Sequence, residues 1–246
     1  MPNTYFQFKQ FRIEQAQSGM KVTTDGCLFG GWVAEEIQKE TTEPKRILDI
    51  GAGTGLLSLM LAQVTVKGEI MALEINEAAC KEAIHNFHHS PWGERLQCRH
   101  TSLQNFNGDN YGLIICNPPF FKGSQQGADR NKNQAVHSNS LDAEELLDHV
   151  IRLLDPNGSL YLLYPEREME AFRQMALTKG LYPIHQVIVR NQIDQSIFRV
   201  MARFSFEEVK AITSELIIRK ANRKYTTESW KLLKEYYLEY NNPGLQ

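Results

Sequence analysis

The 246-residue chain holds no apolar run of the roughly 18 residues that a membrane-crossing helix needs. Its first fifteen residues, MPNTYFQFKQFRIEQ, lack the apolar middle of a secretory signal. Both absences lead us to expect a cytoplasmic protein. An excess of positive charge is missing too: 27 Lys and Arg against 29 Asp and Glu leave a formal net charge of −2. That excludes a surface that grips nucleic acid everywhere, but not a local basic patch. Lys9, Arg12 and Lys21 cluster near the start, opposed by Glu14 and Asp25. Lys122, Arg130 and Lys132 share one loop, and Arg219, Lys220, Arg223 and Lys224 form a cluster near the end. For any one of these, a solvated face is the ordinary explanation. Cysteine is scarce. Cys27, Cys80, Cys98 and Cys116 form no CxxC pair, which removes a zinc ribbon or a redox motif and leaves reduced, mostly buried thiols. His85, His88 and His89 could share a helix face, but no acid or thiol stands at a ligand's distance, so no metal site is expected. Internal repeats, low-complexity tracts and long linkers are absent as well.

What is present is ordinary globular composition, 42% hydrophobic and 23% charged. Arg46 to Ile50 is a short apolar run ending in glycines, which reads as a buried parallel strand. Leu56 to Val64 is apolar on nearly every face and predicts a buried helix. Strands follow at Glu69 to Ile75, Arg95 to His100, Tyr111 to Cys116 and Ser159 to Tyr164. Between them lie helical stretches at Asn76 to His89, with Asn76 as cap, and at Leu141 to Leu154, stopped by Asp155-Pro156-Asn157-Gly158. Pro165 opens another helix running to about Lys179-Gly180. Tyr182 to Arg190 and Ser196 to Phe206 are strands with only a turn between them. A last helix spans Thr226 to Tyr240, capped by Thr226 or Thr227, with Trp230, Leu233 and Tyr237 at helical spacing. Alternation through the first five strands predicts right-handed crossovers and a doubly wound, mostly parallel sheet. Seven strands are expected, the last two as an antiparallel edge hairpin.

Asp49-Ile50-Gly51-Ala52-Gly53-Thr54-Gly55 follows the first of these strands, at the carboxyl edge where open parallel sheets bind ligands. Glycines let a ligand approach the backbone. Glu74 ends the next strand, 23 residues after Gly51, and a carboxylate there can accept both hydroxyls of a ribose. A dinucleotide site would read GxGxxG. Here the spacing is GxGxG with an acid ahead of it, and a carboxylate suits an ammonium ion rather than a pyrophosphate. This combination resembles motif I of the class I S-adenosylmethionine-dependent methyltransferases. A tight strand-helix turn with no ligand is the alternative.

Ile115-Cys116-Asn117-Pro118-Pro119-Phe120-Phe121 ends the fourth strand. Alone it reads as a strand-breaking turn with aromatics in the core. Beside DIGAGTG it resembles the [DNS]-PP-[YFW] motif IV of amino-methyltransferases, and the chemistry accounts for the residue types. An exocyclic amine on a purine is a poor nucleophile because its lone pair is delocalised. The Asn117 side-chain oxygen and the Pro118 carbonyl can accept both amine protons and turn the lone pair outward. Proline stiffens the turn, and Phe120 offers a stacking face worth roughly 1–3 kcal/mol. Transfer from a sulfonium then needs alignment and electrostatics more than a nucleophilic side chain.

Several families share NPP[YF]: DNA adenine, rRNA guanine, protein glutamine and tRNA adenine methylases. Nearly the whole chain is similar to the last, the tRNA1(Val) (adenine(37)-N6)-methyltransferase family. The resemblance lies in FKQFRIEQAQSGMKVTTDGCLFGGW, DIGAGTGLLSLMLAQ, SPWGERL, NPPFF and IRKANRKYTTESWKLLKEYYL. It implies an α/β, seven-stranded Rossmann-like methyltransferase sheet in one domain, 1–246. Residues 1–45 would form an extension and helix over the cofactor, 46–206 the core sheet and 207–246 a helical segment. It also implies S-adenosylmethionine as cofactor and the anticodon loop of tRNA as partner, with no DNA and no membrane expected; the sequence does not set the oligomeric state, and a monomer is favoured. Asn117, Pro118 and Phe120 would be catalytic. Asp49, Gly51, Gly53, Gly55, Glu74 and Asn117 would meet the cofactor. Lys21, Thr24, Asp25 and Gly26 would line its methionine end; Thr24 or Asp25 as a mere helix cap is compatible with that. Many proteins of this fold carry an acid after the third strand for the cofactor's adenine amine. His100-Thr101-Ser102-Leu103 stands there instead, which makes Ser102 the positional match. The polar stretch Phe121 to Asn139 is expected to be a substrate loop that orders on RNA. A glutamine methylase on the same chemistry would need a larger N-terminal part than the 45 or so residues before the first strand. A dehydrogenase or a non-catalytic nucleotide-binding module leaves NPPF without a purpose.

Overall fold

The structure is a computed structural model, and it describes residues 3–19, 21–108, 110–118 and 142–238. Phe120, the 121–139 loop with Lys122, Arg130 and Lys132, and the end of the last expected helix fall outside the described residues. In chain order the elements are β1 (Tyr5–Gln7), β2 (Arg12–Glu14), α1 (Thr24–Lys39), β3 (Arg46–Ile50), α2 (Leu56–Val64), β4 (Glu69–Glu74), α3 (Glu77–His88) and β5 (Leu96–His100). They continue with β6 (Tyr111–Cys116), α4 (Ala143–Leu153), β7 (Leu154–Tyr164), α5 (Glu166–Thr178), β8 (Tyr182–Arg190), β9 (Ile197–Ser205), β10 (Ile212–Ile217) and α6 (Thr227–Leu233).

Eight strands form the main sheet in the order β10-β8-β9-β7-β6-β3-β4-β5. The five from β7 to β5 are parallel. From β3 the chain winds outward through β4 to β5, then crosses back to β6 on the other side of β3. The point where winding reverses lies between β3 and β6, and sheets of this kind bind ligands there. Side chains alternate across the sheet with period two. Ile47 of β3, Leu113 and Ile115 of β6, and Tyr161 and Leu163 of β7 join a core with Leu28, Phe29 and Trp32 of α1, Leu59 and Met60 of α2, and Phe87 of α3. Leu48 and Ile50, Ile114 and Cys116, and Leu160 and Leu162 face the other way. They pack with Leu146 and Val150 of α4 and with Phe172 of α5. Both faces are covered, so β3 and β6 are apolar almost throughout, as sequence periodicity predicts.

Several expectations need correction. The sheet has an eighth strand. β10 pairs parallel with β8, so the β8–β9 hairpin is not the edge and the sheet runs past residue 206. The Asp155–Gly158 turn does not separate helix from strand. Leu154 already pairs with Tyr111, and the turn is a bulge before Ser159 pairs onward near Leu113. The side-chain oxygen of Asp155 closes it by accepting the Asn157 amide at 2.9 Å. The cap of α1 is Thr23 rather than Thr24 or Asp25. Thr23 is extended (φ −121°, ψ 153°), and its hydroxyl accepts the Gly26 amide. The last helix ends at Leu233, with Thr226 as its cap. Near the N-terminus, β1 and β2 pair as a small antiparallel sheet. Phe8 and Phe11 stack there at 4.5 Å, and the Lys9 amide donates to the Tyr236 carbonyl, tying the two ends of the chain together.

Candidate active site

Register brings the expected residues to one edge. Ile50, the last residue of β3, lies opposite Leu73 of β4 on one side and Cys116 of β6 on the other. The next residues along these chains are Gly51, Glu74 and Asn117. Glu74 faces His100 of β5, two residues before Ser102.

The turn after β3 is held by its neighbour strand. The amides of Gly51 and Ala52 both donate to the Leu73 carbonyl, at 2.9 and 3.0 Å. The Gly53 amide donates to Glu74 Oε2 at 2.8 Å, and the Asn76 amide donates to Glu74 Oε1 at 2.7 Å. Gly51, Gly53 and Gly55 all have positive φ (70°, 57° and 83°). A Cβ on Gly51 or Gly53 would meet nothing within 4 Å, whereas one on Gly55 would lie 2.4 Å from the Phe87 ring. The first two thus border open space, and the third lets α2 start against α3.

Asp49 sits on the α1–α2 face of β3 with no exposed surface. One of its oxygens, Oδ2, accepts both the amide and the hydroxyl of Ser58, at 3.1 and 2.7 Å. It thereby caps the first turn of α2, whose own cap, Gly55, has no side chain to offer. The other oxygen, Oδ1, is buried and has no hydrogen-bond partner among the described residues. Burial pushes this carboxyl up to about 6, against the lowering effect of the Ser58 bonds and with a further push from Glu74. A buried carboxylate with one unused oxygen is costly unless a donor or cation meets it.

Asn117 repeats the pattern on the other side of the switch point. It follows β6 directly, and its Oδ1 is buried with no hydrogen-bond partner among the described residues. Gly26 of α1 comes close to its amide nitrogen, which lies 3.8 Å from where a Gly26 Cβ would stand. Pro118 is buried beside it. Gly26 therefore belongs to this edge, at the start of α1, with Thr24 two residues before it in the same first turn. Lys21 and Asp25 are engaged elsewhere. The Lys21 ammonium donates to the Gln15 carbonyl. The Asp25 carboxylate pairs with Arg199 of β9 at 3.1 Å, a contact across 174 residues that sequence reasoning missed and no local signal marks. Ser102 lies in the turn after β5, where its carbonyl accepts the Asn105 amide. Burial pushes the Cys27 thiol up to about 12 and that of Cys116 higher still, so both stay protonated at neutral pH.

Comparison with known proteins gives concordant results. The model of the methyltransferase small domain family matches residues 32–178, from within α1 to the end of α5. A tRNA1(Val) (adenine(37)-N6)-methyltransferase from Flavobacterium johnsoniae is 40% identical, over 95% of this chain and 99% of that one. A relative of the same name from Bacteroides fragilis is 36% identical, over 97% of this chain and all of its own length. Among solved structures, a predicted O-methyltransferase from Agrobacterium tumefaciens superposes with a TM-score of 0.66 at 14% identity, over 86% of this chain and 96% of that one. Its identity is low enough that it speaks for the fold alone.

Proposed function

The chain belongs to the methyltransferase small domain family and, within it, to the tRNA1(Val) (adenine(37)-N6)-methyltransferases; from that premise we propose that it methylates N6 of adenine 37 beside the anticodon of tRNA, using S-adenosylmethionine. The observation that carries the reading is a pair of buried oxygens without partners among the described residues, Asp49 Oδ1 and Asn117 Oδ1, on either side of the switch point.

The residues present fit that cofactor. Asp49 Oδ1 suits the ammonium of its amino-acid end. The open space over Gly51 and Gly53 admits a ligand against the backbone. Each Glu74 oxygen already accepts one amide and keeps a second lone pair for a ribose hydroxyl. Ser102 is the candidate for the adenine edge, and Thr24 and Gly26 for the methionine end. Lys21 is better assigned to holding the segment before α1, and Asp25 to tying the start of α1 to β9. When bound, S-adenosylmethionine supplies an electrophilic methyl group on a sulfonium.

The chain's own part is orientation. Asn117 Oδ1 and the Pro118 carbonyl accept the two protons of the target amine. That draws the nitrogen out of conjugation with the ring and fixes the direction of its lone pair. The same two acceptors stabilise the positive charge that develops on the amine, an arrangement set before the substrate arrives. Phe120 completes the proposal as the stacking face for the base. A base in a single-stranded loop can be splayed out at modest cost, which suits position 37. No helix among the described residues is long and apolar enough to cross a membrane. The reading carries a cytoplasmic monomer.

The test is incubation with labelled cofactor and unmodified tRNA, followed by nucleoside analysis. N6-methyladenosine at position 37 is the expected product. Label in guanine, with none in adenine, would overturn the target base while leaving the chemistry, and no label in tRNA at all would overturn the substrate.

A further inference from the structure

Strand direction puts more than the catalytic turn on the active edge. β9 runs antiparallel to β7, with Val200 opposite Tyr164. β8 runs antiparallel to β9, with Arg190 opposite Ile197. β10 runs parallel to β8, with Ile217 opposite Arg190. The β8–β9 turn and the loop after β10 therefore leave the sheet at the rim where Gly51 and Asn117 stand. Counted in strand spacings, they lie about 14–19 Å along that rim from β6.

The two loops are pinned together. The Ile218 amide donates to the Arg190 carbonyl at 2.8 Å, and the Arg219 amide to the Asn191 carbonyl at 2.9 Å. Between them is a hollow of about 440 Å³, lined by Asn191, Gln192, Gln195, Arg219 and Arg223. Residues 218–224 read IRKANRK, with four cations and no acid in a chain whose net charge is −2. Asp194 is the acid in the facing turn. The nearby ion pairs among the described residues, Arg190–Glu215 and Arg199–Asp25, do not involve Arg219, Lys220 or Arg223.

The loop is also built in advance of any ligand. The Lys220 amide donates to the Lys224 carbonyl and the Arg223 amide to the Lys220 carbonyl, at 2.8 and 2.9 Å. Arg219 lies over the Tyr225 ring, 4.3 Å from its centre, and donates to the Arg223 carbonyl. Arg223 adopts φ 65°, a left-handed backbone that glycine or asparagine holds more easily. A charged side chain is thus kept at a position where the backbone favours a smaller one. Exposed guanidinium and ammonium groups around side-chain amides are the chemistry that grips phosphodiesters.

We propose that the hollow between the β8–β9 turn and residues 219–224 is a phosphate cradle. It holds the tRNA backbone while the target adenine sits at Asn117. At 3.4 Å per stacked nucleotide, the distance along the rim corresponds to about four to six nucleotides from the methylated base. This inference rests on the tRNA reading above.

The test compares the unaltered protein with Lys220→Gln/Arg223→Asn, which removes two charges and keeps a residue that tolerates left-handed backbone. Lys45→Gln/Lys67→Gln serves as control, because both of those lysines are exposed at the opposite edge of the sheet. With unmodified tRNA transcript as probe, the cradle variant should raise KM about tenfold with kcat unchanged. The slope of log affinity against log salt should fall by about 1–2. Binding of S-adenosylhomocysteine should be unaffected. Unchanged KM and salt slope, or an equal loss in the control, overturns the cradle. Failure of the unaltered protein to methylate tRNA at all overturns the substrate reading instead, so the two failures are distinguishable.

Discussion

The turns after β3 and β6 stand side by side on the same edge, yet they are stabilised in opposite ways. In the glycine turn, three successive backbone amides are already bonded, two to the Leu73 carbonyl and one to Glu74. It is a shape finished before any ligand arrives. The Asn117 turn offers a buried oxygen that nothing among the described residues answers. Asp49 lies between these cases, with one oxygen spent on the start of α2 and the other unused. A binding surface can be complete in itself, because its task is complementarity. A group that acts on a substrate must keep its hydrogen-bonding capacity for the reaction, and an unmet buried acceptor is the structural cost of that readiness.

The contrast is broken most directly at Asn117. Asn117→Ala is expected to lower turnover about a hundredfold or more while leaving cofactor affinity nearly intact, as for loss of one oriented polar group in a transition state. Single-turnover methyl transfer, with calorimetric titration of S-adenosylhomocysteine alongside, reads both quantities. Full activity in the variant would remove amine orientation from the mechanism.

Glu74→Ala probes the other turn and should give the reverse pattern. Loss of a carboxylate that fastens Gly53 and Asn76 is expected to weaken cofactor binding by about 1–3 kcal/mol. Turnover at saturating cofactor should change far less. Unchanged affinity would move the ribose site elsewhere.

Those two turns were the most legible part of the chain, for a physical reason. Short apolar runs that stop at glycine or proline are local signals, and both β3 and β6 are buried on two faces. Asn76 as the cap of α3 was equally local, and its side chain accepts the Ala79 amide at 3.0 Å. What stayed hidden depends on partners far away in sequence. ITSELI of β10 is exposed along its first four residues and becomes a strand only because β8 lies beside it. The run Thr23-Thr24-Asp25 offers three possible caps, and backbone geometry rather than residue type selects the first. The ion pair of Asp25 with Arg199 joins residues 174 apart and leaves no local signal.

Asp49 sharpens the comparison through pH. Its folded carboxyl titrates at about 6, above the 3.8 of an unburied one. The folded state therefore holds this proton more tightly. By this group alone, stability declines as pH rises from about 4 to 6 and is level above that. An ammonium-bearing ligand prefers the ionised form. Affinity for S-adenosylhomocysteine should thus rise about tenfold per unit as pH approaches 6 and then flatten, with proton release on binding below 6. Asp49→Asn should abolish that slope. A slope that survives in the variant would locate the responsible group elsewhere.

The smallest effect concerns how the two turns are kept in register with α1. Thr23 is exposed, and its hydroxyl accepts the Gly26 amide at 3.2 Å, fixing the first turn of the helix that brings Gly26 against the Asn117 amide. Thr23→Ala leaves that donor to water and should cost about 1 kcal/mol of stability. Thermal unfolding measures the cost. If α1 positions Asn117, the variant should also lower kcat several-fold, with a smaller loss of cofactor affinity because the same first turn carries Thr24 and Gly26. A loss of stability with no change in kcat would mean that Pro118 and the end of β6 hold Asn117 by themselves, and that the helix covers the site without shaping it.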